Sequence, residues 1–445
     1  MELKELADIL QKNGVVGAGG AGFPTYGKLS DKADTIIMNC AECEPLLKLH
    51  RQLLKTHARE IMKAFALIGD TVGAEKRIIG IKEEYKSTVE AVEENLSDFP
   101  GMSIHKLKGV YPTGDEVILI YEATGRVVRP GGIPIECGVA VFNVETLYNV
   151  YRAVWKKKPV TEKYITVVGE VERPVTVRVP IGITIGEVVS MAGKITTPKP
   201  RFLLGGPMMG NFGTENQPVT KTTNAVIVLP EDHTLVYKRT HTFAIDVARA
   251  ASSCCQCQTC TDLCPRHALG YPVQPHLFMR SAANRDFQSV EPFLDTMFCS
   301  SCGLCELYSC PQGLAPRTMI AEYKTGLRKA GVKPPKVESG PVSEAREYRK
   351  VPEDRLKTRL DLKAYDKDAL LDETNRKAHK VKILLSQHIG APGSCCVNTG
   401  EHVNAGDAVA QAAKGLSVAI HASISGTVQE ATDKYVLIEA DKQRG

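Results

Sequence analysis

Residues 254–265 read Cys254-Cys255-Gln256-Cys257-Gln258-Thr259-Cys260-Thr261-Asp262-Leu263-Cys264-Pro265. Cys254, Cys257, Cys260 and Cys264 stand in C-x2-C-x2-C-x3-C spacing before a proline, which is the ligand run of bacterial two-cluster ferredoxins. Three thiolates at this spacing can surround one face of an iron–sulfur cubane. The proline turns the chain away, so that the fourth thiolate reaches a different cluster. The stretch therefore predicts one [4Fe–4S] cluster and requires a second.

A second cysteine run follows 35 residues later. Its spacing repeats the first, except that four residues instead of three precede the last cysteine, and we expect this insertion to lengthen a loop only. Crossed ligation then predicts two ligand sets: Cys254, Cys257, Cys260 and Cys310 on one cluster, and Cys264, Cys299, Cys302 and Cys305 on the other. The alternative is structural zinc, which is usually bound by paired C-x2-C knuckles separated by a longer loop.

The remaining six of the fourteen cysteines are expected to be reduced or buried thiols: Cys40, Cys43, Cys137, Cys255, Cys395 and Cys396. The N-terminus, Met1-Glu2-Leu3-Lys4-Glu5, lacks the basic and apolar regions of a signal peptide. No stretch approaches the ~18 apolar residues of a membrane span. We therefore expect a cytoplasmic protein, in which thiols stay reduced and metal ligation explains the cysteine count.

The rest of the chain divides by pattern into several units, as its 445 residues lead one to expect. Alternating helices and strands indicate an α/β domain, and a period-two hairpin followed by a short helix indicates a β-grasp unit. Glycine turns between short strands indicate a final all-β barrel or sandwich. The predicted boundaries are 1–160 for the α/β domain, 161–240 for the β-grasp domain, 241–330 for the helical cluster domain, 331–380 for a charged linker, and 381–445 for the all-β domain.

The net charge of +5 is concentrated in one segment. Residues 324–380 hold 16 Lys and Arg against 10 Asp and Glu, which leaves 40 against 41 in the rest of the chain. The segment has no interleaved aromatics and no recognisable nucleic-acid module, so a solvated tether is favoured over a nucleic-acid-binding patch.

Gly17, Gly19 and Gly22 satisfy the pattern G-x-G-x-x-G near the N-terminus. A dinucleotide fingerprint should follow a strand, whereas here a helix comes first. Glycines still let backbone N–H groups approach a phosphate or a flat ring, and Phe23 can stack on an aromatic ligand. The alternative is a tight turn that packs a helix on a strand.

Two further segments place polar groups after predicted strands: Asn39-Cys40-Ala41-Glu42-Cys43-Glu44-Pro45 and Asn143-Val144-Glu145-Thr146-Leu147. Open α/β sheets bind ligands at the carboxyl ends of their strands. The two segments therefore favour a ligand site over a simple turn at the glycine loop.

With these blocks in order, the chain resembles the flavin-binding subunit of respiratory complex I and its relatives. Among them are the RnfC protein of the Rnf complex and the cobalamin reductase of propanediol-utilisation microcompartments. Two more blocks carry the resemblance, Tyr111-Pro112-Thr113-Gly114-Asp115-Glu116 and Gly205-Gly206-Pro207-Met208-Met209-Gly210. The likeness implies a complex I-like FMN domain, a β-grasp domain of the SLBB type, a two-cluster ferredoxin-like domain and a barrel-sandwich hybrid domain.

The resemblance also implies roles for individual residues. It expects FMN to contact the following residues: Gly17, Gly19, Gly20, Gly22, Asn39, Tyr111, Gly114 and Asn143. It expects four side chains to face the nicotinamide cofactor, the two carboxylates being the catalytic groups: Phe23, Lys28, Glu44 and Glu116. A further aromatic that clamps NADH in complex I relatives is missing near Asp31.

The resemblance implies an NADH-dependent reductase that passes electrons through FMN and two clusters to cobalamin, either free or on a cobalamin-dependent or adenosylating enzyme. The C-terminal place of the barrel-like module matches the cobalamin reductase branch, and its turn lacks the lysine of lipoyl and biotinyl carriers. Microcompartment shell or Rnf-like proteins are further expected partners. The alternatives are a peripheral NADH-oxidising Rnf subunit and a non-catalytic electron relay, which the missing aromatic favours.

Overall fold

The computed structural model describes residues 1–441, so the last four residues of the expected terminal domain lie outside it. The first unit is a parallel sheet covered by helices. Its strands are β1 Thr35–Cys40, β2 Lys76–Lys82, β3 Met102–Leu107, β4 Val110–Tyr111 and β5 Val139–Asn143. Its helices are α1 Leu3–Lys12, α2 Leu49–Thr56, α3 Ala58–Val72, α4 Lys86–Leu96, α5 Glu116–Thr124 and α6 Val144–Trp155.

The sheet has the order β3-β2-β1-β5, with all pairs parallel. Strands β1 and β5 are buried on both faces because helices cover both sides of the sheet, as in other parallel sheets. In the pairing register Asn39 lies beside Asn143. The polar residues after β1 and β5 therefore meet at one edge of the sheet, as the sequence predicts.

The second unit is the expected β-grasp hairpin and helix. Its elements are β6 Glu162–Gly169, β7 Val175–Pro180, α7 Ile185–Ser190, β8 Pro200–Leu204, β9 Asn211–Gly213, β10 Ala225–Pro230 and α8 Thr234–Arg239. A capping box begins α7: the Thr184 hydroxyl accepts the backbone N–H of Glu187, and the Glu187 carboxylate accepts the backbone N–H of Thr184. β10 lies parallel to β6 in the middle of the sheet.

The cysteine runs lie in a small helical unit. Its helices are α9 Phe243–Ser253, α10 Thr259–Asp262, α11 Pro265–Ala268, α12 Pro275–Asn284, α13 Glu291–Leu294 and α14 Pro316–Lys329. The core of the unit packs aromatic rings edge to face, with Phe278 5.3 Å from Tyr323 and 6.0 Å from Phe293.

Residues 331–380, which we call the strap, differ from the expected linker. They contain β11 Val351–Pro352, α15 Glu353–Arg359 and β12 Leu370–Asp372. β11 pairs with β4 of the first unit, and β12 adds a parallel strand beside β7 of the second. Charge and proline content suggested a solvated tether, but several charged side chains of the strap pair with the other units, among them Arg346 with Glu122 and Glu353 with Lys82.

The terminal unit consists of short antiparallel strands in two sheets, ordered β13-β19-β18-β15 and β14-β16-β17. The strands are β13 Lys380–Leu384, β14 Ser394–Cys395, β15 His402–Val403, β16 Ala408–Gln411, β17 Ile420–His421, β18 Gly426–Ala431 and β19 Tyr435–Ala440. Its apolar side chains form one continuous core with those of the β-grasp unit. The two units therefore cannot separate without exposing that core.

Lys221 ties three units together. Its buried ammonium donates to the carbonyl oxygens of Gly14 (2.7 Å) and Ala419 (3.3 Å). Burial lowers the pKa of Lys221 to about 7, because desolvation penalises the charged form. Among the described residues, no helix is both long and apolar enough to cross a bilayer.

Candidate flavin and cluster sites

The glycine loop, residues 17–22, closes on itself and lies at the carboxyl end of β5. The N–H of Gly17 donates to the carbonyl of Phe23 (2.8 Å), and the N–H of Ala18 donates to the Thr146 hydroxyl (2.9 Å). A Cβ on Gly19 would lie 3.5 Å from the amide nitrogen of Asn143 and 3.1 Å from that of Asn224. Any side chain at residue 19 would therefore fill the space between the loop and these two amides.

Asn143 has a hydrogen-bond donor to spare at this place. Its Oδ1 accepts the backbone N–H of Glu145 (2.9 Å) and caps α6, which fixes the orientation of the amide. Its Nδ2 lies 3.1 Å from Nε2 of His50, so the imidazole accepts and carries its own proton on Nδ1. The second N–H of the Asn143 amide remains for a ligand beside Gly19.

Asn39 and Gly114 hold the adjoining loops together. The Asn39 amide donates to the Gly114 carbonyl (2.9 Å), and its Oδ1 accepts the N–H of Ala41 (3.1 Å). A Cβ on Gly114 would lie 3.2 Å from both the Ala41 Cβ and the Cys43 Sγ. Both residues thus position the loop edge of the site.

Lys28 and Glu116 form the partly exposed charged group of the first unit. The ammonium of Lys28 lies 2.8 Å from Glu116 Oε1 and 3.0 Å from the carbonyl of Val141. Their side chains are 29% and 40% exposed, so an incoming charged molecule can reach them. Phe23 is half-buried, and its ring packs against Gly27.

Glu44 does not join the Lys28–Glu116 group. Its Oε2 accepts the backbone N–H of Met208 (2.9 Å), and its Oε1 is buried without a hydrogen-bond partner. Desolvation raises the pKa of Glu44 to about 7, although the Met208 N–H works in the opposite direction. A Cβ on Gly206 would come within 2.1 Å of this carboxylate. The glycine block thus encloses Glu44, a contact that the resemblance did not predict.

Tyr111 and Asp115 join the first unit to the cysteine runs. The buried hydroxyl of Tyr111 donates to the carbonyl of Cys302 (2.7 Å), whereas the resemblance places this residue at the flavin. Asp115 accepts two hydrogen bonds from the Arg266 guanidinium, at 2.7 and 3.0 Å. Arg266 follows Cys264 by two residues. The Tyr111 and Asp115 contacts therefore both connect the first unit to the second predicted ligand set, which contains Cys264 and Cys302.

The structure brings the first predicted ligand set around one cavity. Cys254, Cys257, Cys260 and Cys310 all line it. Burial, with the neighbouring thiols of Cys310, Cys257 and Cys254, raises the pKa of Cys260 to about 12. Cys257 is exposed to solvent, so this set lies at the protein surface.

The second predicted set lies deeper in the protein. Burial, and the proximity of Cys264 and Cys299, raise the pKa of the Cys302 thiol, and the same neighbours act on Cys305. Cys302 and Cys305 are both buried. The expected loop insertion is instead a π-helical turn, Cys305–Ser309, which absorbs one extra residue by hydrogen bonding five residues ahead.

Both sets fit the chemistry of iron–sulfur clusters. Within residues 1–441 there is no group of three or more His, Cys, Asp or Glu side chains placed to hold a single metal ion. The four thiols of the first set instead surround one cavity, and in the second set Cys264 and Cys299 lie close enough to Cys302 and Cys305 to act on the pKa of both. Iron binding would displace the protons of these thiols. The glycine loop fits a flat ligand, because Gly19 leaves a space between two amides and the nearby Asn224 Oδ1 is buried without a partner.

Sequence reasoning missed Asn224 and His50. Asn224 belongs to the β-grasp unit, where its backbone carbonyl accepts the N–H of Thr166 (3.0 Å) and holds its amide against the glycine loop. No local pattern marks it, since the contact joins distant parts of the chain. His50 lies on the apolar face of α2, where a histidine is indistinguishable from a core residue by sequence alone.

Four family matches follow the order of the units. Residues 10–152 match the Nuo51 FMN-binding domain, and residues 164–212 match the SLBB domain. Residues 253–315 match a 4Fe-4S dicluster domain, and residues 362–443 match the RnfC barrel sandwich hybrid domain. These matches confirm the expected fold class, FMN and the two clusters. The chain is an iron–sulfur flavoprotein oxidoreductase.

The relatives narrow this class. Cobalamin reductase PduS of Citrobacter freundii is 41% identical over 430 residues, 96% of this chain and 94% of that protein. Cobalamin reductase PduS of Salmonella typhimurium is 39% identical over 439 residues, 98% of this chain and 96% of that protein. A component of the Na(+)-translocating ferredoxin:NAD(+) oxidoreductase complex of Acetobacterium woodii is 30% identical over 274 residues, 60% of this chain and 59% of that protein. The chain belongs to the PduS cobalamin reductase family, and the predicted resemblance is confirmed.

Proposed function

We propose that this chain oxidises NADH at FMN in the first unit and delivers single electrons, through two [4Fe–4S] clusters, to cobalamin. Bound FMN supplies the exchange between two-electron hydride chemistry and single-electron transfer. The full-length similarity to cobalamin reductases supports cobalamin as the acceptor. A cobalamin-dependent or adenosylating enzyme would be the partner that uses the product, inside a microcompartment of the kind that the resemblance implies.

The flavin would be held by residues from two units. Gly17, Gly19, Gly20 and Gly22 would admit the flavin closely, and the free N–H of Asn143 would donate to it. Asn224 would bring an acceptor from the β-grasp unit, which explains its unpartnered oxygen. Asn39 and Gly114 would act by positioning the adjoining loops.

NADH, the electron donor, would enter beside Lys28 and Glu116. The pyrophosphate of NADH is anionic, so the partly exposed ammonium of Lys28 is suited to attract it. Phe23 lies in the same unit and would stack on a ring of NADH. Glu116 would orient Lys28 through their ion pair. Glu44 remains a proposed catalytic carboxylate through its raised pKa of about 7, which lets it hold or release a proton near neutral pH.

One observation carries the proposed order of the electron carriers: the Tyr111 hydroxyl donates a hydrogen bond to the Cys302 carbonyl. We assign Cys264, Cys299, Cys302 and Cys305 to an inner cluster, next to the first unit, which we call the flavin unit. We assign Cys254, Cys257, Cys260 and Cys310 to an outer cluster. The inner set is joined to the flavin unit by Tyr111 and by the Asp115–Arg266 pair, and the outer set reaches the surface at Cys257.

The proposal is tested with anaerobically purified holoenzyme, NADH and cob(III)alamin, by following NADH consumption and cobalamin reduction by absorbance. We expect both to occur together. Reduction of a small dye without any reduction of cobalamin would favour the Rnf-type alternative. No NADH oxidation by protein that retains flavin and clusters would favour the relay.

A matched pair of variants tests the donor site. Lys28→Gln should raise KM for NADH more than it lowers kcat, because it removes an attraction for the phosphates. Lys32→Gln alters a nearby exposed lysine and should leave both constants unchanged. An unchanged KM in Lys28→Gln would remove Lys28 from the site.

A further inference from the structure

A groove lies beside the outer cysteine set. It is formed jointly by the strap and by the small helical unit that carries the cysteine runs, which we call the cluster unit. Its volume is about 620 Å³, within the range of ligand sites. The lining includes Thr259, Leu263, Tyr308, Ser309, Arg355 and Arg359. The first four belong to the cluster unit, and the two arginines belong to α15.

The groove touches two predicted ligand loops of the outer cluster. The Thr259 hydroxyl donates to the Cys257 sulfur (3.3 Å). Ser309 directly precedes Cys310, whose carbonyl lies 3.5 Å from the Arg359 guanidinium. A molecule in the groove would therefore contact residues that lie within two positions of two predicted cluster ligands. These residues are on the side of the protein where the outer cysteine set is exposed.

The charge of the groove favours an anionic group. Arg355 and Arg359 are exposed and neither pairs with a carboxylate among the described residues. The one acidic lining residue, Asp354, is already paired with Lys357 at 2.7 Å. Two free guanidiniums close to each other on one helix suit a phosphate, which accepts bidentate hydrogen bonds.

We propose that this groove is the binding site for the electron acceptor, a corrinoid whose phosphodiester is held by Arg355 and Arg359. This inference rests on the proposed function. In this arrangement the nucleotide arm would lie inside the groove, with the benzimidazole against Tyr308 and the corrin ring over the rim near Cys257. NADH supplies two electrons and releases one proton, and each of two cobalt centres gains one electron.

The test compares Arg355→Gln/Arg359→Gln with the control Lys377→Gln/Lys380→Gln, which removes the same charge from exposed residues elsewhere. Binding of cyanocobalamin to oxidised holoenzyme is measured by calorimetry without NADH. We expect the arginine variant to bind about tenfold more weakly, because it loses charged hydrogen bonds. Raised salt should weaken binding to the wild type and the control, but not to the variant.

The kinetic arm reduces each protein with NADH and then adds an oxidant. Reoxidation by cob(III)alamin should slow about tenfold in the arginine variant. Reoxidation by cobinamide, which lacks the phosphodiester and nucleotide, should be the same in variant and wild type. The cation hexaammineruthenium(III) should also react equally with both, which shows that the clusters still transfer electrons.

The outcomes separate the two claims. If wild-type protein never reduces cobalamin, the proposed function fails. If it does so and the arginine variant matches it in binding and rate, the groove is not the acceptor site. A variant that slows cobalamin and cobinamide to the same extent would refute recognition through the phosphodiester.

Discussion

Replacing Gly22 by alanine should destabilise the first unit more than replacing Gly20, although both glycines have the same backbone conformation. Each has φ +70°, a left-handed geometry that costs a non-glycine residue roughly 1–2 kcal/mol. A Cβ on Gly20 meets nothing within 4 Å. A Cβ on Gly22 would lie 2.9 Å from Thr222 Cγ2, 3.1 Å from the Gln387 carbonyl and 3.2 Å from the His388 Cα.

Hydrogen bonds hold the terminal unit in place against the Cβ of an alanine at residue 22. The N–H of Ile389 donates to the Gly22 carbonyl (3.3 Å), and the Gln387 side chain accepts the N–H of Lys221 (2.9 Å). Overpacking against fixed backbone costs about 1–3 kcal/mol. We therefore expect Gly20→Ala to cost roughly 1–2 kcal/mol and Gly22→Ala about 2–5 kcal/mol.

Trp155 makes the measurement specific to the first unit. It is the sole tryptophan, it ends α6, and it stacks on Tyr151 with ring centroids 5.3 Å apart. Its fluorescence during guanidinium unfolding of flavin-free protein reports the stability of that unit without a contribution from flavin binding. Equal midpoints for the two variants would refute the claim that the terminal unit presses on the glycine loop.

Three other changes probe the remaining contacts. Cys310→Ser should remove the electron paramagnetic resonance signal of the outer cluster and leave that of the inner one; loss of the inner signal alone would contradict crossed ligation. Tyr111→Phe should cost about 1–3 kcal/mol, because the buried Cys302 carbonyl loses its donor, while Tyr348→Phe on the surface should cost nothing measurable by denaturant midpoint. The pKa of Glu44 is raised from 4.5 to about 7, so the native state holds its proton more tightly and wild-type stability should fall as pH rises through that interval. Glu44→Gln should flatten this dependence of the midpoint on pH, and an unchanged slope would show that Glu44 does not cause it.

Cysteine spacing predicted which thiols would come together, because cluster geometry constrains the ligands more strongly than local propensity does. It did not predict the conformation that accommodates the extra residue before Cys310. The extra residue is accommodated in the π-helical turn Cys305–Ser309. In this turn Leu307 is buried and the Glu306 carboxylate accepts the N–H of Thr318 (2.8 Å). Packing against α14 therefore decides between a turn and a loop, and spacing alone carries no information about it.

The glycine loop shows a different limit. Its pattern and the residues after β1 and β5 indicated a ligand site at the sheet edge, since parallel strands present their carboxyl ends together. The reason for glycine at residue 22 lies in Gln387 and His388 of the terminal unit. The second amide beside Gly19 comes from Asn224. Contacts between residues so far apart in the chain leave no periodic signal.

The charge of the strap has the same kind of explanation. Its excess of cations suggested a tether, because composition counts charges without showing where their partners lie. Arg346 and Lys350 both pair with Glu122 of the first unit, and Arg349 pairs with Asp262 of the cluster unit.

Carboxylates of the strap are used in the same way. Glu353 pairs with the fully buried Lys82, and Glu373 accepts the hydroxyl of Tyr164 (2.8 Å) and lies 3.0 Å from His57. Removing one partner of a buried pair leaves an uncompensated charge and costs about 3–5 kcal/mol. The strap therefore holds the flavin, β-grasp and cluster units in one arrangement. Because these pairs hold α15 in place, Arg355 and Arg359 remain without a carboxylate partner in residues 1–441 beside the outer cysteine set, where the phosphodiester of the proposed acceptor would lie.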